Sequence, residues 1–462
     1  MRDLCKFMKN ALFWRVSVVL KTSATMLTIL SSLMLNFAIH ADYAHSQSQT
    51  ECPSVMPSNT ACYSGTDANG AHYYIAIPDK WNRVLIVHVR GGPYNQHLGL
   101  KRSLEDATRW VVWVKEGYAY AASQYRRGGY GVRMAAEDTE NLRRLFVKRF
   151  GEPRRTILHG QSWGGLVGAK AIELFANGAG AKSSYDGALL TSGMLAGATR
   201  GYDFRLDLRA VYQYYCNNHP RPDETEYPLW NGLPVDSKLT AKDLSARINE
   251  CTGIELPVGN RSAYQRSNLA NIASVVHIRE SSLSGHMNWA TFMFSDIVHN
   301  RLGGRNPFSN EGVRYTGSSD DGALNSGIAR YRADPAAVAE FAQDGDLTGR
   351  AMIPTLTMHA IDDPTAFVEA ESAYRELRER AGTRDLLVQT FTDEHEHSYL
   401  SSPEYAALAR ALLAWIDDGK KPTPAEIAAD CERYTGMYQE KCHFEVTYHP
   451  LPYDTRVPRR AP

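Results

Sequence analysis

Residues 154–167 read Arg-Arg-Thr-Ile-Leu-His-Gly-Gln-Ser-Trp-Gly-Gly-Leu-Val, which places Ser162 between Gly160 and Gly164 directly after an apolar run. A serine hydroxyl becomes a nucleophile when a neighbouring base takes its proton and an acid orients that base. The Gly-x-Ser-x-Gly pattern alone is weak, because chance supplies it in roughly one chain in six of this length. Partners for it occur downstream. Asp362 and Asp363 lie in His-Ala-Ile-Asp-Asp-Pro, and His395 and His397 in Asp-Glu-His-Glu-His-Ser-Tyr-Leu. The chemistry these residue types offer is acyl transfer through a serine, a histidine and a carboxylate. Gly160 and Gly164 suit the turn physically. A strand bending sharply into a helix brings two backbones close, and Cβ atoms there would collide. The helix N-terminus behind the serine favours developing negative charge.

Such groups need a rigid framework. Segments 72–77, 83–89, 118–125, 156–159 and 186–191 read as strands, the second (RVLIVHV) almost continuously apolar as in a buried parallel strand. Helices are expected at 103–116, at 135–150 with Leu142, Leu145, Phe146 and Phe150 on one face, and from Trp163 to about Ala176. After residue 195 the alternation stops for about 150 residues rich in Tyr, Asn, Gly and Pro, then resumes. A strand at 353–360, a helix at 367–381, a strand at 386–392 and a helix at 403–417 follow. Alternating strands and helices imply an α/β fold, a mostly parallel sheet flanked by helices. The organisation expected is a core in two parts, 45–195 and 351–418, a cap or lid inserted at 196–350, and a Pro-rich, irregular tail at 419–462. Asp363 and His397 each follow a strand, so they emerge on the edge where Ser162 emerges, as sites of open α/β sheets do.

With these residues in place, the chain resembles the α/β-hydrolase superfamily over about 70–200 and again over 350–418. Members carry His-Gly-x-x-Asp-x-x-Val around the acid; His359-Ala-Ile-Asp362-Asp363-Pro is similar, with Ala360 and Ala366 in place of Gly and Val. That register selects Asp363 over Asp362. Members also carry Gly-His-x-x-Phe, an acidic residue, and a helix ending in Trp and Gly. His397, Glu404, Trp415 and Gly419 fit that spacing, with Glu396 and Leu400 replacing Gly and Phe, and His395 would miss it by two residues. The resemblance implies an oxyanion hole made by two backbone N–H groups. Trp163 supplies one. The other comes from Gly91 or Gly92, with Gly92 favoured, in Val89-Arg90-Gly91-Gly92-Pro93, which resembles the His-Gly-Gly-Pro of prolyl-aminopeptidase-like members with Arg90 replacing the histidine. The activity implied is cleavage of small-molecule or oligomeric carboxylic esters. One alternative is a peptidase of the same fold, in which acidic cap residues such as Asp223, Glu224 and Glu226 capture a substrate amine; another is a non-catalytic binding protein on a hydrolase fold.

Composition narrows the context. In 462 residues, 51 basic side chains balance 51 acidic ones, so no overall field favours nucleic acid or an anionic membrane. No Ca²⁺ loop, His-Glu-x-x-His or dinucleotide fingerprint occurs, so no metal or cofactor is expected. Lys6, Lys9, Arg15 and Lys21 precede an apolar core at 25–39 and small residues, the pattern of a secretory signal peptide over 1–44 cleaved near Ala41 or Ala44. An uncleaved signal anchor is the alternative. After removal of the leader, no stable membrane partner is expected and the protein is secreted or periplasmic. Six cysteines remain, and nearest-neighbour disulfides, Cys52–Cys62, Cys216–Cys251 and Cys431–Cys442, would each staple a local segment. Within the insertion, the run 210–216 with Trp230, Trp289 and Phe292 reads as the lid's own core or as an acyl pocket.

Overall fold

Runs of β-branched and aliphatic residues form the strands of the computed structural model, which describes residues 48–176, 183–398 and 400–460. The expected leader at 1–44 lies outside the described residues. The strands are β1 (Ser48–Thr50), β2 (Ala61–Thr66), β3 (His72–Ile77), β4 (Val84–Val89), β5 (Ala119–Ser123), β6 (Arg155–Gln161), β7 (Gly187–Thr191), β8 (Thr355–Ala360) and β9 (Leu387–Thr392). They form one sheet in the order β1-β2-β3-β5-β4-β6-β7-β8-β9. Pairing is antiparallel from β1 to β5 and parallel from β5 through β4 to β9. Every residue of β4, β5, β7 and β8 is buried, as parallel strands covered on both faces must be.

Register decides where the chemistry goes. Val89 pairs with Gly160, Gln161 with Thr191, and Ala360 with Thr392. The carboxyl ends of β4, β6, β7, β8 and β9 therefore share one edge. The loops that leave it carry residues 90–92, Ser162, Met194, Asp363 and His397. Helices Val132–Phe150 and Trp163–Phe175 cover one face, and Leu100–Arg109 and Ser402–Asp418 the other, each contributing to one of two large apolar clusters.

Three differences from the sequence reading have physical causes. The helix expected at 103–116 is two, Leu100–Arg109 and Val111–Lys115, broken at Trp110. The hairpin β1–β2 extends the sheet, with Cys62, disulfide-bonded to Cys52, paired to Thr50. The tail is less irregular than expected, because Pro424–Tyr438 is a helix. Pro424 sits in its first turn, and the Thr423 and Glu426 side chains cap it reciprocally.

Between β7 and β8 the described residues form helices and loops and no strand. Helices Ala198–Cys216, Ala241–Thr252 and Ala263–Val275 enclose their own apolar cluster, including Val211, Tyr212, Leu244, Ile248 and Leu269. The described residues form one compact unit. Among the described residues three disulfides join nearest neighbours, Cys52–Cys62, Cys216–Cys251 and Cys431–Cys442. Among the described residues no helix is long and apolar enough to cross a membrane.

Candidate active site

Ser162 follows β6 at φ 60°, ψ −127°, a region that side-chain-bearing residues rarely occupy, and the next residue begins a helix. Neighbouring glycines permit this strain. A Cβ on Gly164 would lie 2.1 Å from the Val89 carbonyl oxygen, and one on Gly160 would lie 2.4 Å from that of Gly164. Either contact is far inside van der Waals distance. The turn projects the serine side chain off the sheet edge, as strained backbone at a site often does.

The Ser162 hydroxyl donates to His397 Nε2 at 2.7 Å. His397 Nδ1–H in turn faces both oxygens of Asp363, at 2.9 and 2.8 Å. Asp363 Oδ1 also accepts the backbone N–H groups of Thr365 (2.8 Å) and Ala366 (2.9 Å). Burial pushes the Asp363 carboxyl up, but His397 and His359 outweigh it and hold the group well below the usual carboxylate range. The alternatives weighed for these positions pair with each other instead. His395 Nδ1 lies 2.9 Å from Asp362 Oδ2 at the surface, and Arg279 joins Asp362 at 2.8 Å.

Beneath the acid is a residue whose role the sequence did not reveal. His359 is fully buried on β8, its Nε2 2.9 Å from the Ala366 carbonyl and 3.5 Å from Asp363 Oδ2. Its Nδ1 lies 3.4 Å from Glu371 Oε1. Both ring nitrogens therefore face oxygens that only accept, which requires a proton on each. Burial disfavours the charge, but hydrogen bonds to Asp363 and Glu371 dominate and raise the imidazolium to about 10. Glu371 is fixed by the Thr357 hydroxyl at 2.7 Å and the Gln389 amide at 2.6 Å.

On the β4 side, a Cβ on Gly91 would meet the Ser162 Cβ at 3.3 Å, so Gly91 packs against the serine. Gly92, at φ 142°, packs against Arg90 instead, where a Cβ would lie 2.8 Å from Nη1. Arg90 is buried and donates to the carbonyls of Gly91 (2.8 Å) and Gln124 (3.2 Å), stacked over the Tyr125 ring at 4.3 Å. Arginine at this position thus clamps the loop from within. Trp163 is the first helical residue, so its N–H has no acceptor in its own helix. Its indole packs against Tyr125 and Tyr130.

His286 is buried against the acid loop and donates from Nε2 to the Pro364 carbonyl at 3.2 Å. Burial pulls its pKa to about 3, so it is neutral there. Asp223, Glu224 and Glu226 are exposed, and Glu224 is held by Arg247. Of the aromatic run in the insertion, Tyr212 is buried in that segment's own cluster, with Phe292 packed against it, while Trp230 and Trp289 pack on the main one. Among the described residues no group of three or more His, Cys, Asp or Glu is arranged to hold a metal ion.

No family model matches the chain. A stretch of 112 residues is 29% identical to an o-phthalyl amidase of Xanthobacter agilis; it spans 24% of this chain and 23% of that protein's length. Solved structures with a similar course include Candida antarctica lipase A in its closed state, at 10% identity and TM-score 0.42 over 87% of this chain and 83% of that one. Another is feruloyl esterase B from Aspergillus oryzae, at 12% identity and TM-score 0.39, covering 81% and 85%. A third is a ligand-bound form of the rice cell wall degrading esterase LipA from Xanthomonas oryzae, at 13% and 0.36, covering 78% and 89%. The strand order, the strained turn from β6 into a helix, and the long insertion before β8 are features of this chain itself, and with them it has the α/β-hydrolase fold.

Proposed function

We propose that the protein is an exported serine hydrolase of carboxylic esters. The observation that supports this reading most is the 2.7 Å contact from the Ser162 hydroxyl to His397 Nε2, with Asp363 on the opposite ring nitrogen. As Ser162 Oγ attacks a carbonyl carbon, its proton passes to His397 Nε2, and the ionised Asp363 stabilises the imidazolium that forms. The tetrahedral oxyanion is held by the Trp163 N–H and by a glycine N–H from 91–92, with Gly92 retained as the first candidate and Gly91 as the second. His397 then protonates the leaving oxygen, and water repeats the sequence in reverse on the acyl-enzyme. No metal or cofactor enters these steps.

A second reading is cleavage of amides by the same residues, and the o-phthalyl amidase resemblance favours it over a short stretch. Capture of a peptide amine by 223–226 is less favoured, because Glu224 is engaged by Arg247. Export is supported by the three disulfides, which persist in oxidising compartments, together with the leader pattern.

Labelling by a fluorophosphonate probe tests the serine. Wild-type protein should label and Ser162→Ala should not; an unlabelled wild type overturns the hydrolytic reading. Turnover of 4-nitrophenyl esters against aminoacyl anilides separates ester from amide preference, and faster anilide cleavage overturns the first.

A further inference from the structure

Among the described residues four arginines are almost wholly buried: Arg90, Arg205, Arg209 and Arg378. A guanidinium offers five N–H donors and keeps its charge, so each buried one needs acceptors. Arg378 uses the hydroxyls of Thr355 and Tyr374 and the Thr383 carbonyl. Arg209 uses the Thr291 hydroxyl and the His219 carbonyl, and Arg90 the two carbonyls described above. Arg205 has a single acceptor, the Gly201 carbonyl one turn earlier in its own helix, at 2.6 Å. Its Nε has no partner, as in the other three, but it alone has one acceptor in place of two or three, and among the described residues no carboxylate lies within ion-pair distance. The rings of Tyr202, Phe204 and Trp289 surround it at 4.7, 4.8 and 5.0 Å. They favour a cation but accept none of its remaining N–H groups as ordinary hydrogen bonds.

The location of this unused charge is what gives it meaning. Arg205 lines a cavity of about 20 Å³ with Met194, Phe204, Thr365, Ala366 and Phe367. Both reacting loops contribute to that wall. Met194 N–H donates to the Ser162 carbonyl at 3.3 Å, and the N–H groups of Thr365 and Ala366 hold Asp363. The cavity has room for about one water. Met194 is unbranched, and its rotatable side chain can turn aside for a larger group.

We propose that Arg205 receives a carboxylate of the substrate, so that the preferred substrates are esters or amides carrying a second, ionised carboxyl group. The proposal rests on the hydrolytic reading above. A carboxylate accepts two parallel N–H bonds from a guanidinium, and in this apolar setting it is the counter-ion that Arg205 lacks. The anion can lie on the acyl side or on the leaving group, and paired substrates tell these apart.

The acyl arm compares mono(4-nitrophenyl) glutarate with 4-nitrophenyl pentanoate, and the leaving-group arm compares 4-(pentanoyloxy)benzoate with phenyl pentanoate. Wild-type kcat/KM should favour the charged member of one arm. Arg205→Met should lower that charged-to-neutral ratio by about tenfold or more, and Arg205→Lys should retain part of it. A purely structural arginine would lower both members alike and leave the ratio unchanged. A wild type with no charged preference in either arm, or a preference that survives Arg205→Met, overturns the proposal. Failure of every ester to turn over overturns the hydrolytic reading instead. In that event thermal unfolding decides: glutarate should raise the Tm of the wild type and not of Arg205→Met, and equal shifts, or none, overturn the anion site.

Discussion

Raising the pH should release the proton held between Asp363 and Glu371, with a loss of stability that one variant isolates. His359 is charged in the folded protein until about pH 10, against 6.5 for an ordinary histidine. Below pH 6.5 the folded and unfolded chains both carry the proton, and the contribution of the buried imidazolium is fully present. Between those values only the folded chain holds it, so stability falls by about 1.4 kcal/mol per pH unit. Over the whole interval from 6.5 to about 10 this amounts to at most about 5 kcal/mol. Above pH 10 neither state holds the proton and the contribution is gone. His359→Gln keeps a donor for the Ala366 carbonyl but removes the charge, leaving Asp363 and Glu371 as two buried carboxylates with less compensation. Urea unfolding followed by tryptophan fluorescence, at pH 6.5 and 10.5, is the assay. The variant should be less stable than wild type by about 3 kcal/mol or more at pH 6.5, and by under about 1 kcal/mol at pH 10.5. A deficit of equal size at both pH values would show that the imidazole is neutral in the fold, and the reasoning would fail.

Other consequences are simpler to state. Burial and Glu394 raise the Glu404 carboxyl to about 9, so the folded chain keeps a proton that the unfolded chain loses above its ordinary 4.5. Stability should therefore fall as pH rises from 4.5 towards 9, and Glu404→Gln should flatten that slope in a series of thermal unfolding midpoints. Gly164→Ala forces a Cβ to within 2.1 Å of the Val89 carbonyl oxygen, which the β6 turn can relieve only by moving. It should cost about 3 kcal/mol and about a hundredfold in kcat, measured by thermal unfolding and ester turnover. Replacing Cys216 and Cys251 by serine opens a cross-link spanning 35 residues of the insertion, and should lower stability by about 4 kcal/mol in chemical unfolding.

Much of the framework was legible because its signals are local. The apolar run of β4 and the glycines around Ser162 announce a buried strand and a close backbone approach. Strand ends at 360 and 392 place Asp363 and His397 on the edge that carries the serine. What escaped depends on contacts distant in sequence or on short elements. β1 has three residues, and β2 ends in Ser-Gly-Thr, so neither shows a period. In the tail, prolines concealed a helix whose Thr423 and Glu426 cap was readable. His359 was visible only as the first residue of a motif. Its charge depends on Glu371, a carboxylate on the following helix that sequence alone does not orient. Nothing in the sequence singles out Arg205. Only the packing of the insertion against the acid loop buries it.

That packing also constrains how a substrate can enter. The segment after the tail helix ties the insertion to the loop that carries the acid. Arg456 donates from two nitrogens to the Glu369 carboxylate, at 2.8 Å each, six residues beyond Asp363. Arg460 reaches Asp207 of helix Ala198–Cys216 at 2.7 Å. Between them Tyr453 and Val457 pack with Phe204 and Phe367, joining that helix to the acid loop through an apolar cluster. That helix cannot swing away from the sheet edge without breaking its ion pair to Arg460 or, if the tail moves with it, the pair of Arg456 with Glu369, and exposing these side chains. Entry by rigid rotation of the whole insertion is therefore disfavoured against local movement of single side chains, Met194 first among them. It follows that Arg205 is presented from a fixed wall. Its discrimination between charged and neutral substrates would be set before binding, because the guanidinium is desolvated and caged in advance.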